Sequence, residues 1–180
     1  MKKLSKLFIA TIFAFCVILS NSSKAQTISV NAFRFGIGLE GGLPTYQISG
    51  ASNAYFGATA RLQYGLSKSF ALTLTSGYYD FIGNSYHASM GMVPVKLGFK
   101  AFVSHGFYFS GEAGVGFETQ NADVYKNLDN GIPKSTKLIL APGLGYATKS
   151  WDFGLRFESF TGQNYNYGLV GLRVAYGFGL

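Results

Sequence analysis

Hydrophobic and polar residues alternate along most of the chain from about position 33 onwards. Between Phe107 and Phe117, apolar side chains occupy nearly every second position, and polar or small residues fill the positions between them. Alternation with a period of two is typical of a β-strand that has one apolar and one polar face. No part of this region has a convincing helical period. The pattern therefore predicts an all-β fold.

Seven further segments repeat the alternation, so the sequence predicts eight strands. The eight predicted strands cover residues 33–43, 54–66, 70–79, 93–103, 107–117, 137–147, 151–158 and 170–180. Three of the connections are short, at 67–69, 104–106 and 148–150, and between them lie longer polar stretches at 44–53, 80–91, 119–136 and 161–166.

Large aromatic residues follow the short turns. Phe70, Phe107 and Trp151 each open the strand after such a turn, and Phe178 in the last strand is assigned to the same ring. Short turns at one end, long loops at the other and aromatic residues at the membrane interface are the layout of a transmembrane β-barrel. An even number of strands closes the sheet, so that no unpaired edge meets lipid. The predicted fold is an eight-stranded antiparallel up-and-down barrel with short periplasmic turns and longer extracellular loops.

The charged residues of the predicted strands all share the polar parity of their strand. Arg or Lys facing lipid at mid-bilayer would cost about 2–4 kcal/mol, which explains their absence from the other parity. We therefore predict a network of charges inside the barrel: Arg34, Glu40, Arg61, Lys96, Lys100, Glu112, Glu118, Lys137, Asp152, Arg156, Glu158 and Arg173.

A soluble barrel with an apolar interior is the alternative to a membrane barrel. Many glycines and threonines lie on the polar parity, and small residues suit a cramped interior better than an exposed surface. The patterning therefore favours the membrane barrel. Eight strands leave an interior that side chains fill, so we expect seven basic and five acidic residues to pair there as a packed plug rather than line an open pore.

Composition supports this assignment. Charged residues make up 13% of the 180 residues and aromatic residues 17%, with 24 glycines. So few charges disfavour a simple soluble enzyme, while a mean hydropathy of +0.19 is too low for a protein made mostly of apolar helices.

Residues 1–25 are predicted to be a cleaved secretory signal peptide. Three lysines lie within the first six positions, and residues 7–19 form a mostly apolar run of 13 residues. Such a run is short of the roughly 20 residues that span a bilayer. Ser23-Lys24-Ala25 supplies small residues for cleavage before Gln26, leaving residues 26–180 as the barrel domain.

Cleavage changes what chemistry and which partners are open to the protein. Cys16 leaves with the signal peptide, so neither a disulfide nor a thiolate is expected in the mature chain. Four of the 15 basic residues leave as well, and the 11 that remain exceed the eight acidic residues by three. The apparent pI near 9.5 is then weak support for a nucleic-acid partner, and none is expected.

With these features, residues 33–180 resemble the small outer-membrane β-barrel domains of the OmpA/OmpX kind. The last strand, from Arg173 to Leu180, carries Tyr176 and Phe178 on one face. Family barrels usually finish on an aromatic residue that the assembly machinery reads, whereas this sequence has Leu180 there. The resemblance implies a monomer in the outer membrane of a Gram-negative bacterium, in contact with lipid and with the barrel-assembly machinery. Because the family's roles vary, it does not imply one activity.

Motifs for cofactors and metals are weak. Residues 36–41 match the dinucleotide pattern G-x-G-x-x-G, but Gly42-Leu43-Pro44 cannot open the helix that the motif requires. Asp123, Asn127 and Asp129 match no known calcium loop. We expect no cofactor and no metal.

One pair of residues resembles enzyme chemistry. Some outer-membrane barrels modify lipid A, and one deacylase family among them uses a His-x-Ser pair on a lipid-facing strand. His87 and Ser89 have this spacing, on a parity that continues into Val93. A Ser–His pair needs a third group to orient the imidazole, and Asp80 across the predicted loop is the nearby candidate. A lipid A deacylase is therefore kept as an alternative.

The predicted loops and their edges are rich in Tyr and Asn. These residues suit the membrane interface, or a contact surface for an extracellular ligand; they are Tyr46, Asn53, Tyr55, Asn84, Tyr86, Tyr125, Asn164, Tyr165 and Tyr167. The sequence therefore favours a structural or surface-interaction protein without catalysis. A narrow channel is a further alternative, which would conduct in a way that depends on Arg156 or Glu112.

Overall fold

The computed structural model describes residues 30–46, 52–83, 89–104, 106–120, 135–162 and 166–179. It contains eight strands, and the all-β prediction is confirmed. The strands are β1 Phe33–Tyr46, β2 Ser52–Gly65, β3 Phe70–Gly83, β4 Met90–Ser104, β5 Phe107–Gln120, β6 Thr136–Ala147, β7 Trp151–Gly162 and β8 Tyr167–Gly179. Within the described ranges, no helix is long and apolar enough to cross a membrane.

The eight strands form one closed barrel in which each strand pairs antiparallel with its neighbours in sequence. β1 and β8 close the ring, with Arg34 opposite Gly179 at one end and Tyr46 opposite Tyr167 at the other. Closure gives every strand two hydrogen-bonded neighbours, so no sheet edge is left open. The predicted up-and-down barrel is confirmed.

The short turns lie together at one end of the barrel, which we call the turn end. At the turn between β6 and β7, the Thr148 amide donates to the Trp151 carbonyl at 2.7 Å and the Trp151 amide donates to Oγ1 of Thr148 at 3.0 Å. Between β4 and β5, Gly106 has a φ of 94°, a left-handed conformation that favours glycine. The opposite end is called the loop end.

The strands extend further toward the loop end than the sequence indicated. β3 runs to Gly83 and β4 begins at Met90, so most of the residues predicted as the edges of a loop are paired instead. Asp80 lies opposite Gly91 and Phe81 opposite Met90. Ladder hydrogen bonds form through backbone groups whatever the side chain, so Asp80 and Gly91 do not end the strands.

Asp80 contradicts the prediction that every charged residue of a strand lies at a polar, inward-facing position. It lies in β3, and its position has the parity of the outward-facing Leu72 and Leu74 rather than that of the lumen. Because the cost of a charge on the lipid face falls toward the membrane interface, a carboxylate near the loop end of a strand is tolerated there.

Burial separates the two faces of the barrel wall. The outward side chains are apolar and exposed, with Leu39 70% and Leu97 67% exposed, whereas Lys96 and Glu158 are fully buried on the inward side. This distribution is the inverse of a soluble barrel, in which the interior is apolar. The charged core therefore lies inside the barrel wall, where its members are held at fixed strand positions.

Candidate functional site

The side chains of a central charge network fill the lumen, and Arg156 of β7 is at its centre. Its guanidinium contacts the carboxylate of Glu40 on β1, and its Nη1 lies 3.6 Å from Oε2 of Glu112 on β5. Its Nε lies 2.6 Å from Oε1 of Glu158, two residues along the same strand. One arginine thus pairs with carboxylates from three different strands.

Lys96 of β4 makes the second set of contacts across the lumen. Its ammonium nitrogen lies 2.6 Å from Oε1 of Glu158 and 3.6 Å from Oε2 of Glu112. The Tyr79 hydroxyl accepts hydrogen bonds from Lys96 Nζ and from Nη2 of Arg156, both at 2.8 Å. The same hydroxyl donates to Glu158 at 3.2 Å. Tyr79 therefore joins the two basic groups to one carboxylate.

Threonines complete the coordination of the carboxylates. Arg61 Nη2 lies 2.9 Å from Oε1 of Glu112, and the Thr75 hydroxyl donates to the same oxygen at 2.7 Å. On the other side, the Thr59 hydroxyl donates to Glu40 at 2.8 Å. A buried carboxylate is stabilised when both a cation and neutral donors occupy its lone pairs.

Asp152 holds together the part of the network nearest the turn end. Its carboxylate contacts the Lys100 ammonium, and it accepts a hydrogen bond from the Tyr108 hydroxyl at 2.6 Å. Arg173 links this part to the centre, because its Nη1 lies 3.9 Å from Asp152 and its Nε lies 3.3 Å from Glu40.

Nine of the twelve predicted lumen charges belong to this network, which contains Glu40, Arg61, Lys96, Lys100, Glu112, Asp152, Arg156, Glu158 and Arg173. The other three lie at the two ends of the lumen. Glu118 accepts a hydrogen bond from the Tyr167 hydroxyl at 2.8 Å, and Lys137 Nζ is 5.8 Å from the centroid of the Tyr167 ring. Arg34 lies at the turn end, beside Gly177.

A cluster of apolar and aromatic side chains fills the lumen at the loop end, and the sequence analysis missed it as a unit. Phe160 and Tyr167 stack with their centroids 4.8 Å apart, and Phe81 meets Tyr167 edge-on at 6.0 Å. Its members lie at the inward-facing positions of their strands, and this alternation was the sequence signal that could have identified the cluster. We call it the loop-end cluster: Tyr55, Tyr79, Phe81, Met92, Ile139, Ala141, Phe160, Tyr167 and Leu169.

Two tyrosines of the loop-end cluster correct an expectation. Tyr55 and Tyr167 were assigned to the membrane interface or to an extracellular contact surface, but they are 0% and 2% exposed inside the barrel. Both lie near strand ends that extend beyond the predicted boundaries, and the closed barrel turns their rings inward. The presence of tyrosines near a predicted loop does not show whether their rings point into the lumen or out of the barrel.

The four aromatic residues predicted at the membrane interface lie outside the barrel at the turn end. Phe70, Phe107, Trp151 and Phe178 are between 36% and 57% exposed. Each contacts another outward ring; Trp151, for example, meets Tyr176 edge-on with centroids 5.3 Å apart. Such rings at one level of the wall have the geometry of an aromatic girdle.

The described residues cover the remaining sequence motifs only in part. The glycine-rich residues 36–41 lie inside β1, which continues as a strand to Tyr46. Ser89 directly precedes β4, while His87 lies outside the described residues. Asp123, Asn127 and Asp129 also lie outside them, as does the predicted signal peptide. Within the described ranges, no group of three or more metal-ligating side chains comes together.

Comparison with known proteins finds similarity in structure rather than in sequence. No protein-family model matches the chain, and no curated protein sequence matches it. The N-terminal β-barrel domain of OprF from Pseudomonas aeruginosa is 16% identical, with a TM-score of 0.57 over 83% of this chain and 98% of that one. Ail, the attachment invasion locus protein of Yersinia pestis, is 12% identical, with a TM-score of 0.59 over 83% of this chain and all of that one. Neisserial surface protein A is also 12% identical, with a TM-score of 0.50 over 81% and 97% of the two chains. This chain therefore has the fold of the small eight-stranded outer-membrane β-barrels.

Proposed function

We propose that the protein is a closed outer-membrane β-barrel with a structural or surface-interaction role and no catalytic activity. The observation that carries this proposal is the filling of the lumen by two consecutive layers, the central charge network and the loop-end cluster. A barrel filled in this way offers a rigid wall and a set of loops, and these are what a structural or binding protein requires.

The packed lumen supports the absence of an open pore. Lys96 of β4 reaches Glu158 of β7, and Arg156 of β7 reaches Glu40 of β1, so side chains cross the interior in more than one direction. Eight-stranded barrels have interiors about as wide as their side chains. Opening a path would separate fully buried ion pairs, and breaking such a pair costs about 3–5 kcal/mol.

The outer wall supports a place in a membrane. Leu39, Leu97 and Leu172 are the most exposed large apolar residues of their strands, at 63% or more. A water-soluble monomer rarely exposes so continuous an apolar surface. Together with the predicted signal peptide, residues 1–25, this supports export to the outer membrane of a Gram-negative bacterium, with insertion by the barrel-assembly machinery as a monomer.

The loop end is the surface that would meet a ligand. The segments between the strands there contain Tyr and Asn in the sequence, and the barrel wall holds their ends at fixed positions. One similar barrel, Ail, has been solved in complex with the heparin analogue sucrose octasulfate. That structure is a precedent for a ligand on a barrel of this fold, and it supports the extracellular-ligand part of the proposal for this chain.

A loop-exchange experiment tests the proposed role. Residues 122–133, between β5 and β6, would be replaced by a Gly-Ser linker, and cells carrying this variant would be compared with wild-type and deletion strains. We expect the variant to fold, seen as a gel-mobility shift on boiling, and to fractionate with the outer membrane while losing binding of the cells to immobilised matrix polymers. A wild-type protein that fractionates as soluble, or that shows no mobility shift, would contradict the barrel. Wild-type and deletion strains that are equal in binding and in detergent resistance would contradict the role.

A further inference from the structure

A recess opens into the lumen at the turn end, on the side opposite the loop-end cluster. The enclosed part of the recess has a volume of about 20 Å³, and the rest of it is open to solvent. The charged and polar side chains that line it are Arg34, Arg61, Gln63, Asp152 and Arg173. Three arginines and one carboxylate therefore line the same space.

The single carboxylate of the recess is shared among several partners, one of which is Arg173, whose Nη1 lies 3.9 Å from it. One Asp152 oxygen contacts the Lys100 ammonium, and the other accepts the hydrogen bond from Tyr108 at 2.6 Å. Arg61 is likewise engaged, since its Nε donates to Thr75 and its Nη2 to Glu112, both at 2.9 Å. The recess thus keeps an excess of positive charge that its own acid does not balance.

Two guanidinium groups that line this space retain unused donors. The Nη2 atoms of Arg34 and Arg173 are buried and form no hydrogen bond with the part of the chain that the structure describes. A buried donor without an acceptor is costly, and a cationic donor more so. Both side chains line the recess, so an anion entering it would meet two cations that hold unused donors.

Glycine makes room for one of these arginines. An added Cβ at Gly177 would lie 2.6 Å from Nη2 of Arg34, so any larger residue would push the guanidinium away from its present place. The neighbouring wall residue Gly36 also lines the recess. The small residues of β1 and β8 therefore leave room for the recess and allow Arg34 to keep its position.

We propose that this recess is a binding site for a phosphate-class oxyanion that enters from the turn end. The twelve predicted lumen residues comprise seven bases and five acids, an excess of two positive charges that a hydrogen phosphate dianion would neutralise. A tetrahedral oxyanion presents several acceptors in different directions, which suits two guanidinium groups from the neighbouring strands β1 and β8 better than a single-atom halide does. This site is independent of the proposed surface role, because it lies at the other end of the barrel.

Phosphate titration of the purified barrel in zwitterionic detergent tests the site. Binding would be followed by calorimetry and by the unfolding temperature, with sodium chloride at matched ionic strength as the background. We expect saturable binding by wild type and a loss of about tenfold or more in affinity for Arg34→Gln, the approximate value of one charge-assisted hydrogen bond. Lys68→Gln removes the same charge from an exposed turn at the same end and is expected to bind as wild type does.

A second variant separates the site from effects on folding or on net charge. Gly177→Ala keeps every charge but displaces Arg34, and it is also expected to lose affinity. Glycerol 3-phosphate, titrated in parallel, distinguishes a free phosphate ion from the terminal phosphate of a larger molecule, and binding of either supports the site. The proposal is overturned if wild type shows no saturable binding, if chloride competes at equal concentration, or if Lys68→Gln loses as much affinity as Arg34→Gln.

Discussion

The ammonium nitrogen of Lys96 on β4 lies 2.6 Å from a carboxylate oxygen of Glu158 on β7, and both side chains are fully buried. The two strands are three places apart around the ring, so the ion pair crosses the lumen rather than joining neighbours in the sheet. A pair of this kind ties opposite walls together and depends on a correctly closed barrel.

Removing both members of this pair is expected to destabilise the barrel by less than the sum of the two single removals. Lys96→Met leaves Glu158 and Glu112 with fewer cations in a dry interior and should lower the free energy of unfolding by about 3–5 kcal/mol. The double variant with Glu158→Met should be destabilised by clearly less than the sum of the two single changes. Equilibrium unfolding in urea, in detergent micelles or vesicles, measures each value. Additive single effects would contradict a direct coupling, and Lys68→Met in an exposed turn is the control.

The packing of the loop-end cluster leads us to expect that one substitution offsets the effect of another. A Cβ at Gly171 would overlap the Tyr55 hydroxyl, which is buried and has no hydrogen-bond partner among the described residues. Gly171→Ala should therefore destabilise the barrel by roughly 1–3 kcal/mol. Tyr55→Phe removes the obstructing oxygen and should recover much of this loss. Gly179→Ala, where nothing lies within 4 Å of an added Cβ, should change little. An equal effect of Gly171→Ala with and without the Tyr55 hydroxyl would exclude this overlap as the cause.

Two outward positions on one strand test how the barrel sits in the bilayer. Leu97, in the middle of β4, is 67% exposed, and Val103, near the turn end of the same strand, is 62% exposed. Leu97→Arg should cost about 2–4 kcal/mol in lipid vesicles, whereas Val103→Arg should cost about 0–1 kcal/mol, because the penalty for a charge falls from the midplane to the interface. Equal costs at the two positions would show that the middle of β4 is not at the bilayer centre.

The packed lumen predicts that the protein does not conduct ions. Wild-type protein in planar bilayers should give no stepwise currents, because Arg156 and its carboxylate partners occupy the interior. Stepwise currents that change with Arg156→Met or Glu112→Gln would instead establish the narrow channel. A large porin in the same bilayers is the positive control.

Catalysis on lipid A is tested by mass spectrometry of lipid A from cells that carry wild type, His87→Ala or Ser89→Ala. We expect identical acylation patterns in all three and in a strain without the protein, since two residues at this spacing occur readily by chance. Asp80 lies opposite Gly91 in the ladder, two residues beyond Ser89, and so offers a third variant, Asp80→Asn. A pattern that changes with the serine and the histidine alike would overturn the non-catalytic role.

Much of the architecture could be predicted from the chain because alternation is a local property. The period of two assigns each residue of a strand to one of two faces, and the charges then identify which face is inside, since lipid tolerates none at its centre. Lys96, Glu112 and Glu158 could be placed in the lumen on this reasoning alone. The eight strands and the short turns followed from the same pattern.

Which charges meet, and where each strand ends, were decided by tertiary structure. The contacts of Arg156 with residues on β1 and β5 depend on strand tilt and register, which alternation does not specify. Tyr79 joined Lys96 and Arg156 to one carboxylate, and closure of the ring turned Tyr55 and Tyr167 inward. The sequence by itself determined the wall and its two faces, since these depend on neighbours one and two positions apart. The closed ring alone brought together side chains far apart in the chain, and so produced the filled lumen and the arginine-lined recess.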